Sequence, residues 1–180
     1  FPGFAATELL YDDDGNVMGV ATGDMGVNRE GEQGPNYTPG MELHAKYTLI
    51  AEGVRGSLAK ELIAKYQLDR NSDPQHYGIG IKEVWEVDHR NHKPGHVEHH
   101  LGWPLSNDTG GGGFVYHAEN NHVFLGYVVH LNYTNPHLSP FDEMQRWKTH
   151  PRMKALLEGA TRTGYGARAL TEGGWQSIPE

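Results

Sequence analysis

The sequence predicts an α+β fold, a mainly antiparallel sheet covered by helices. Two long stretches alternate apolar and polar residues with the period of a half-buried strand: Tyr77, Ile79, Ile81, Trp85 and Val87, interrupted by Glu83, and then Val123, Leu125, Tyr127, Val129 and Leu131. Helix signals follow them. Ser139 stands as an N-cap before Pro140, Asp142 lies three residues after the cap, and Phe141, Met144, Gln145 and Trp147 run along the turns.

Taken from the start, Phe4 to Tyr11 and Asn16 to Thr22 read as a hairpin around Asp12, Asp13, Asp14 and Gly15, since Asp-Gly is a strong turn signal. Asn28 to Gly40, rich in Gly, Pro, Asn and Glu, reads as an exposed loop. Glu42 to Ala51 begins in alternation and ends in an apolar run, with Thr48, Leu49 and Ile50 expected as a buried strand that stops at Glu52 and Gly53. A helix is expected from Ser57, with Leu58, Leu62 and Tyr66 on one face. A different organisation begins near Asp69. Besides the two long strands, short ones are expected at His96 to Leu101 and Gly113 to Ala118. Pro151 ends the Ser139 helix, and a second short helix, Met153 to Glu158, closes at Gly159.

Composition narrows the function. Fifteen Lys and Arg against 23 Asp and Glu give a formal charge of -8 over 180 residues, the wrong sign for a nucleic-acid partner. No run approaches the roughly 18 apolar residues that span a bilayer. The chain has no cysteine, so it cannot supply thiolates to an iron-sulfur cluster.

Several residues are candidates for chemistry. The Glu52-Gly53 turn presents main-chain N–H groups and a helix N-terminus, a place where an anionic ligand is bound or where strand simply meets helix. Four consecutive glycines, Gly110 to Gly113, mark a main chain that something approaches closely, or a flexible hairpin loop. His89, His92, His96, His99 and His100 invite a metal site, but Pro94 and Gly95 divide them, and a solvated loop and strand edge is the expectation; no metal is assigned. Arg55 is placed to approach a phosphate or to lie exposed. Arg168 is expected to pair with Glu172 across one helical turn, and Trp103 and Trp175 to sit in the core or between lobes. No residue is assigned a catalytic acid-base or nucleophilic role.

The Thr48 to Lys60 segment resembles the second internal FAD motif of glutathione-reductase-like flavoproteins, with Glu52 in place of the usual Asp. Three further strings, LGWPLSNDTGGGGFVYH (101–117), NPHLSPFDEMQRWKTHP (135–151) and YGARALTEGGWQSIP (165–179), resemble the electron transfer flavoprotein-ubiquinone oxidoreductase family across essentially the whole chain. The resemblance implies a ubiquinone-binding domain at residues 69–164 inserted in the remnant of a glutathione-reductase-like FAD domain. Residues 1–68 and a return segment, 165–180, form that remnant. It implies FAD held in part by Glu52 and Gly53, a [4Fe-4S] cluster whose ligands lie outside this chain, and ubiquinone as substrate. It further implies reduced electron transfer flavoprotein as partner, and peripheral contact with a bacterial or mitochondrial inner membrane. The glycine pair that borders the quinone in that family falls on Gly111 and Gly112. One departure stands beside it: the family places an aromatic residue directly before the pair, and this chain has Gly110, which removes one wall of the slot.

Two other readings stay open on the residues: a substrate domain of a flavin-dependent monooxygenase or dehydrogenase, and a cofactor-free β-rich binding module. The GxGxxG motif of the family is absent, so the chain reads as an internal piece of a longer enzyme, lacking the strand and helix that hold the FAD pyrophosphate. On its own it is expected to purify colourless and to reduce no quinone. Stoichiometric FAD in its visible spectrum would overturn that expectation.

Overall fold

A computed structural model describes residues 2–180; Phe1, where the first expected domain begins, lies outside the described residues. The chain divides into two units, one running to Arg70 and one spanning Asn71–Glu180.

In the first unit, β1 (Ala6–Tyr11) and β2 (Val17–Thr22) form the expected hairpin. Asp12 closes its turn by accepting from the N–H groups of Asp14 and Asn16 at 3.1 and 2.7 Å. The Asn28 to Gly40 stretch is not a plain loop. β3 (Met25–Val27) and β4 (Gln33–Thr38) pair there, turned by Asn28, whose side chain accepts from the N–H groups of Glu30 and Glu32. Turn-forming residues hid a hairpin because they make its bend as readily as they make a loop. β5 (Glu42–His44) pairs with β2 and completes a three-stranded sheet, order β1-β2-β5.

The strand expected at Thr48 to Ile50 does not form. Leu49 is 92% exposed, and the segment has no neighbouring strand among the described residues to take up its backbone hydrogen bonds. The helix after it does form, as α1 (Ser57–Tyr66), with Leu58 buried. Lys65 lies 3.2 Å from the centre of the Tyr11 ring, and the Tyr66 hydroxyl donates to the Gly15 carbonyl, so α1 is held on the hairpin.

The second unit carries a five-stranded antiparallel sheet of order β10-β6-β9-β8-β7. Its strands are β6 (Tyr77–Glu86), β7 (Val97–Leu101), β8 (Gly111–His117), β9 (His122–His130) and β10 (Thr161–Thr171). Two helices, α2 (Pro140–Lys148) and α3 (Pro151–Leu157), cover one face. Ser139 caps α2 by accepting from Asp142 N–H at 3.3 Å, and Pro151 opens α3 rather than merely ending its neighbour. The alternation of the strands decides what the helices meet. Val115, Val123, Leu125, Tyr127 and Val129 point toward Met144, Trp147 and Met153 and make the core with them.

The chain does not leave the sheet at Tyr165. β10 runs through that residue to Thr171 as the edge strand beside β6, so the boundary placed between Gly164 and Tyr165 falls inside a strand. Beyond it, the short 3-10 turn Trp175–Ser177 folds back on the start of the same unit, where Asp73 N–H donates to Gln176 O at 2.8 Å and Ser72 Oγ to Ile178 O at 2.8 Å. Arg168 is therefore on a strand, opposite Gly80, and Glu172 is not one helical turn away from it. Trp103 and Trp175 are 49% and 81% exposed, so neither sits in the core of this unit.

Glu83, the residue that interrupts the first strand pattern, faces the helices and is 2% exposed. The Lys148 ammonium donates to both of its oxygens at 2.9 and 2.8 Å, Arg162 reaches it at 3.3 Å, and Trp85 Nε1 donates at 2.8 Å. Burial pushes the carboxyl pKa up, but these donors outweigh it and hold the group below the ordinary carboxylate value. Removing one member of such a cluster strands the others. Glu83→Gln is expected to destabilise the unit by about 3–5 kcal/mol in urea unfolding, because Lys148 is left buried without a countercharge, and Glu83→Gln with Lys148→Met is expected to recover most of the loss. A single-variant cost below about 1 kcal/mol would contradict this placement of the charge.

Candidate functional site

The sheet has a second face, turned away from α2 and α3, and its character is set by glycine. The registers place Gly78, Gly80, Gly112, Gly126, Gly164 and Gly166 on it. Gly80 and Gly112 flank Val128 on either side, so a row one residue deep crosses three strands with only one side chain standing up. Above this row and toward β10 lies a cavity of about 690 Å³, lined by Gly80, Val128, Phe114, Gly166, Arg168 and Leu170 among others. Its wall is mainly apolar, with Arg168 and Lys82 as its charged members. Such a surface takes a flat, largely apolar group against the main chain.

The predicted pair Gly111 and Gly112 are the first two residues of β8. A Cβ built at Gly111 would fall 2.3 Å from Val128 O, and one at Gly112 2.1 Å from His100 O. Gly111 also has φ +147, in the region that favours glycine. The sheet itself requires both glycines. Gly113 is required by the core, since a Cβ there would meet the Trp147 ring at 2.5 Å. The ladder to β7 ends at Leu101 and Gly112, so Gly111 has a strand beside it on the β9 side alone.

Gly110, the departure in the pattern, is explained by β9. A Cβ at Gly110 would lie 2.5 Å from Nδ1 of His130 and 2.9 Å from its Cγ. The imidazole thus occupies the space beside the pair that a side chain at position 110 would fill. His130 N–H also donates to Gly110 O at 3.0 Å. On its other side the His130 Nε2 stands 3.1 Å from Glu172 Oε2, an ion-pair distance without the alignment of a hydrogen bond, so that oxygen is buried with no hydrogen-bond partner. Burial pushes the Glu172 carboxyl pKa up, against a smaller opposing pull from His130. His130 did not stand out in the sequence, and Glu172 did so only as the expected partner of Arg168. Their nearness depends on β10 and β9 both flanking β6, which alternation within one strand does not reveal.

Glu52 and Gly53 lie in the first unit, before α1. The Glu52 carboxylate accepts from Ala59 N–H at 2.8 Å and so caps the helix N-terminus that was a candidate for an anionic ligand. Gly53 has φ +84 and nothing near the position of a Cβ, which leaves its main chain open to approach. Arg55 is exposed, with no ion pair among the described residues.

Of the five candidate histidines, His96 and His100 meet on a carboxylate. Glu98 is held by Arg152 through two nitrogens at 2.7 and 2.5 Å, with His96 Nε2 at 2.7 Å and His100 Nε2 at 3.1 Å. Arg152 first, then the two histidines, outweigh burial and keep Glu98 well below the usual carboxylate range. Trp147 Nε1 donates to His100 Nδ1 at 3.1 Å, which places the proton of that neutral ring on Nε2, toward Glu98. His117, buried beside His92 and His96, has its pKa lowered by burial and then by those rings. Tyr127 lies on the helix side, and burial, then the charge of Glu143, pushes its phenol up to about 12, so it keeps its proton at neutral pH.

The chain is 62% identical to a probable electron transfer flavoprotein-ubiquinone oxidoreductase of Acinetobacter baylyi, over all of this chain and 32% of that protein. It is 59% identical to the electron transfer flavoprotein-ubiquinone oxidoreductase of Pseudomonas aeruginosa and 53% identical to the mitochondrial one of Homo sapiens, again over its whole length and over 33% and 30% of theirs. The chain thus spans about a third of the length of these relatives. Residues 77–170, which hold the whole five-stranded sheet but the last residue of β10, match the family described as "ETF-QO, ubiquinone-binding". With just over half of its length so matched, the chain belongs to the electron transfer flavoprotein-ubiquinone oxidoreductase family.

Proposed function

We propose that this chain is the quinone-binding part, with a portion of the FAD domain, of an enzyme that passes electrons from reduced electron transfer flavoprotein to ubiquinone. The observation that carries the reading is the glycine-lined face of the five-stranded sheet, within residues matched to the ubiquinone-binding family. The quinone ring lies against the main chain beside Gly111 and Gly112, and the apolar wall of the 690 Å³ cavity receives its substituents.

In the same proposal, residues up to Arg70 belong to a glutathione-reductase-like FAD domain. Exposed Leu49 and its neighbours take their place as a strand beside chain supplied by the rest of the enzyme. Gly53 offers FAD an unobstructed main chain, whereas Glu52 acts by fixing the start of α1 rather than by touching a phosphate. FAD supplies the two-electron chemistry, and a [4Fe-4S] cluster with ligands elsewhere in the enzyme completes the path. The names of the relatives support electron transfer flavoprotein and ubiquinone as partners, and the name of the human relative supports a mitochondrial setting; the inner membrane is part of the proposal. Contact with the membrane surface belongs to this proposal as well; no helix of the described residues is long and apolar enough to cross a membrane.

Valine at Gly111 or Gly112 is a poor probe, since it would collide with the sheet. Gly166 is a better one. It lines the cavity, and nothing lies within 4 Å of a Cβ built there, so a larger side chain enters the site without displacing the fold. In the full-length enzyme, Gly166→Leu is expected to raise KM for a short-tailed ubiquinone about tenfold, the scale of roughly 1.4 kcal/mol of lost binding, with flavin content and the rate of flavin reduction unchanged. Unaltered quinone kinetics would remove the cavity from the site.

A further inference from the structure

We propose that His130 and Glu172 deliver protons to the quinone, with His130 standing at the wall position that Gly110 leaves empty. The inference rests on the placement of the quinone beside Gly111 and Gly112. Turning a quinone into a quinol takes two electrons and two protons. The electrons come from the reduced redox centres of the full-length enzyme; the protons need a donor at the ring oxygens.

The geometry supplies a directed pair. His130 lies on the glycine face between Gly78 of β6 and Gly110, which precedes β8. Its Nδ1 is the atom nearest the Cβ position of Gly110, and its Nε2 faces Glu172 Oε2 at 3.1 Å. Glu172 sits over Gly78, where a Cβ would meet its Oε1 at 2.5 Å, so that glycine makes room for the carboxyl. The imidazole therefore joins the carboxyl to the glycine run through opposite nitrogens.

With its proton on Nδ1, His130 gives that proton to a quinone oxygen as Nε2 takes the proton of the Glu172 carboxyl. One N–H and one O–H bond break, and one O–H bond to the quinone and one N–H bond at Nε2 form. Glu172 is left as a carboxylate facing a neutral ring. Two such transfers balance two electrons. Between them Nδ1 takes one proton from water of a cleft of about 280 Å³ that both residues line, and Nε2 returns its proton to Glu172, which restores the starting pair. His76 and Tyr77 are the other titratable groups of that cleft. The buried, unpartnered oxygen of Glu172 and its upward-shifted pKa suit a carboxyl that holds a proton in reserve.

The test uses the full-length enzyme with a short-tailed ubiquinone. His130→Gln and Glu172→Gln are each expected to lower quinone turnover about a hundredfold, the low end of general-acid contributions, while flavin content and the rate of flavin reduction hold near wild type. Wild-type turnover is expected to fall as pH rises through the raised Glu172 pKa, since the reserve proton is then lost. Glu172→Gln, whose amide cannot titrate, is expected to lose that limb. A direct readout needs no turnover: the His130 ring resonances of the oxidised enzyme should shift when the quinone is added. Near-normal turnover and an unchanged pH profile in both variants would overturn the proton role. Quinone reduction by the wild type, with no His130 shift on binding, would do the same. Failure of the wild type to reduce quinone at all would instead strike the functional reading on which this inference rests. Glu172→Asp, which keeps a titrating group, is expected to restore part of the turnover and the pH limb, a rescue that a purely structural role would not produce.

Discussion

A carboxylate buried in the helix-covered side of a sheet governs the second unit. Glu83 lies on β6, the strand between β9 and edge strand β10, and its partners come from three directions: Lys148 from α2, Arg162 from β10 and Trp85 from its own strand. An isolated ion there would cost several kcal/mol in lost hydration, and only the full set of donors offsets that cost. The arrangement therefore fixes which face receives the helices and pins the edge strand beside β6. It is a specification as much as a source of stability.

Committing one face to helices leaves the other to be shaped by what the strands do not carry. Gly80 and Gly112 beside Val128, and Gly166 and Gly164 along β10, lower the floor of that face to the main chain. Glycine weakens a strand through its entropy on folding, so a sheet with this many needs compensation from its covered side. Val115, Val123, Leu125, Tyr127 and Val129, all at 1% exposure or less, supply it. In our proposal this division of labour is the functional design: one face stabilises and the other receives a planar ring. The quinone meets His130 in the next row, level with Gly78 and Gly110, because β9 carries a side chain where the loop before β8 carries none.

Much of this was legible in the residues. The alternation from Tyr77 and from Val123 gave the two long strands within a residue or so, and Ser139-Pro140 gave the start of α2, because period and capping are local properties. The misses have a common cause in tertiary partners. β10 escaped because Arg162, Gly164, Gly166 and Arg168 do not alternate in hydrophobicity; as an edge strand it is held by its pairing with β6 rather than by burial. Thr48 to Ile50 has the composition of a buried strand but no neighbour here to pair with. The glycine run was conspicuous, yet which contacts demand each glycine required the register: Val128 O for Gly111, His100 O for Gly112, Trp147 for Gly113 and His130 for Gly110. The partnership of His130 with Glu172 was invisible for the same reason, being a contact across 42 residues of chain made by strand order alone.

The most direct test of the account is an experimental structure of the full-length enzyme with a short-tailed ubiquinone bound. The account predicts the quinone ring on the glycine face beside Gly111 and Gly112, with one ring oxygen at hydrogen-bonding distance from His130 Nδ1. A quinone ring found on the helix-covered side of the sheet, or bound without contact to any residue of the Gly110 to Gly113 run, would contradict it.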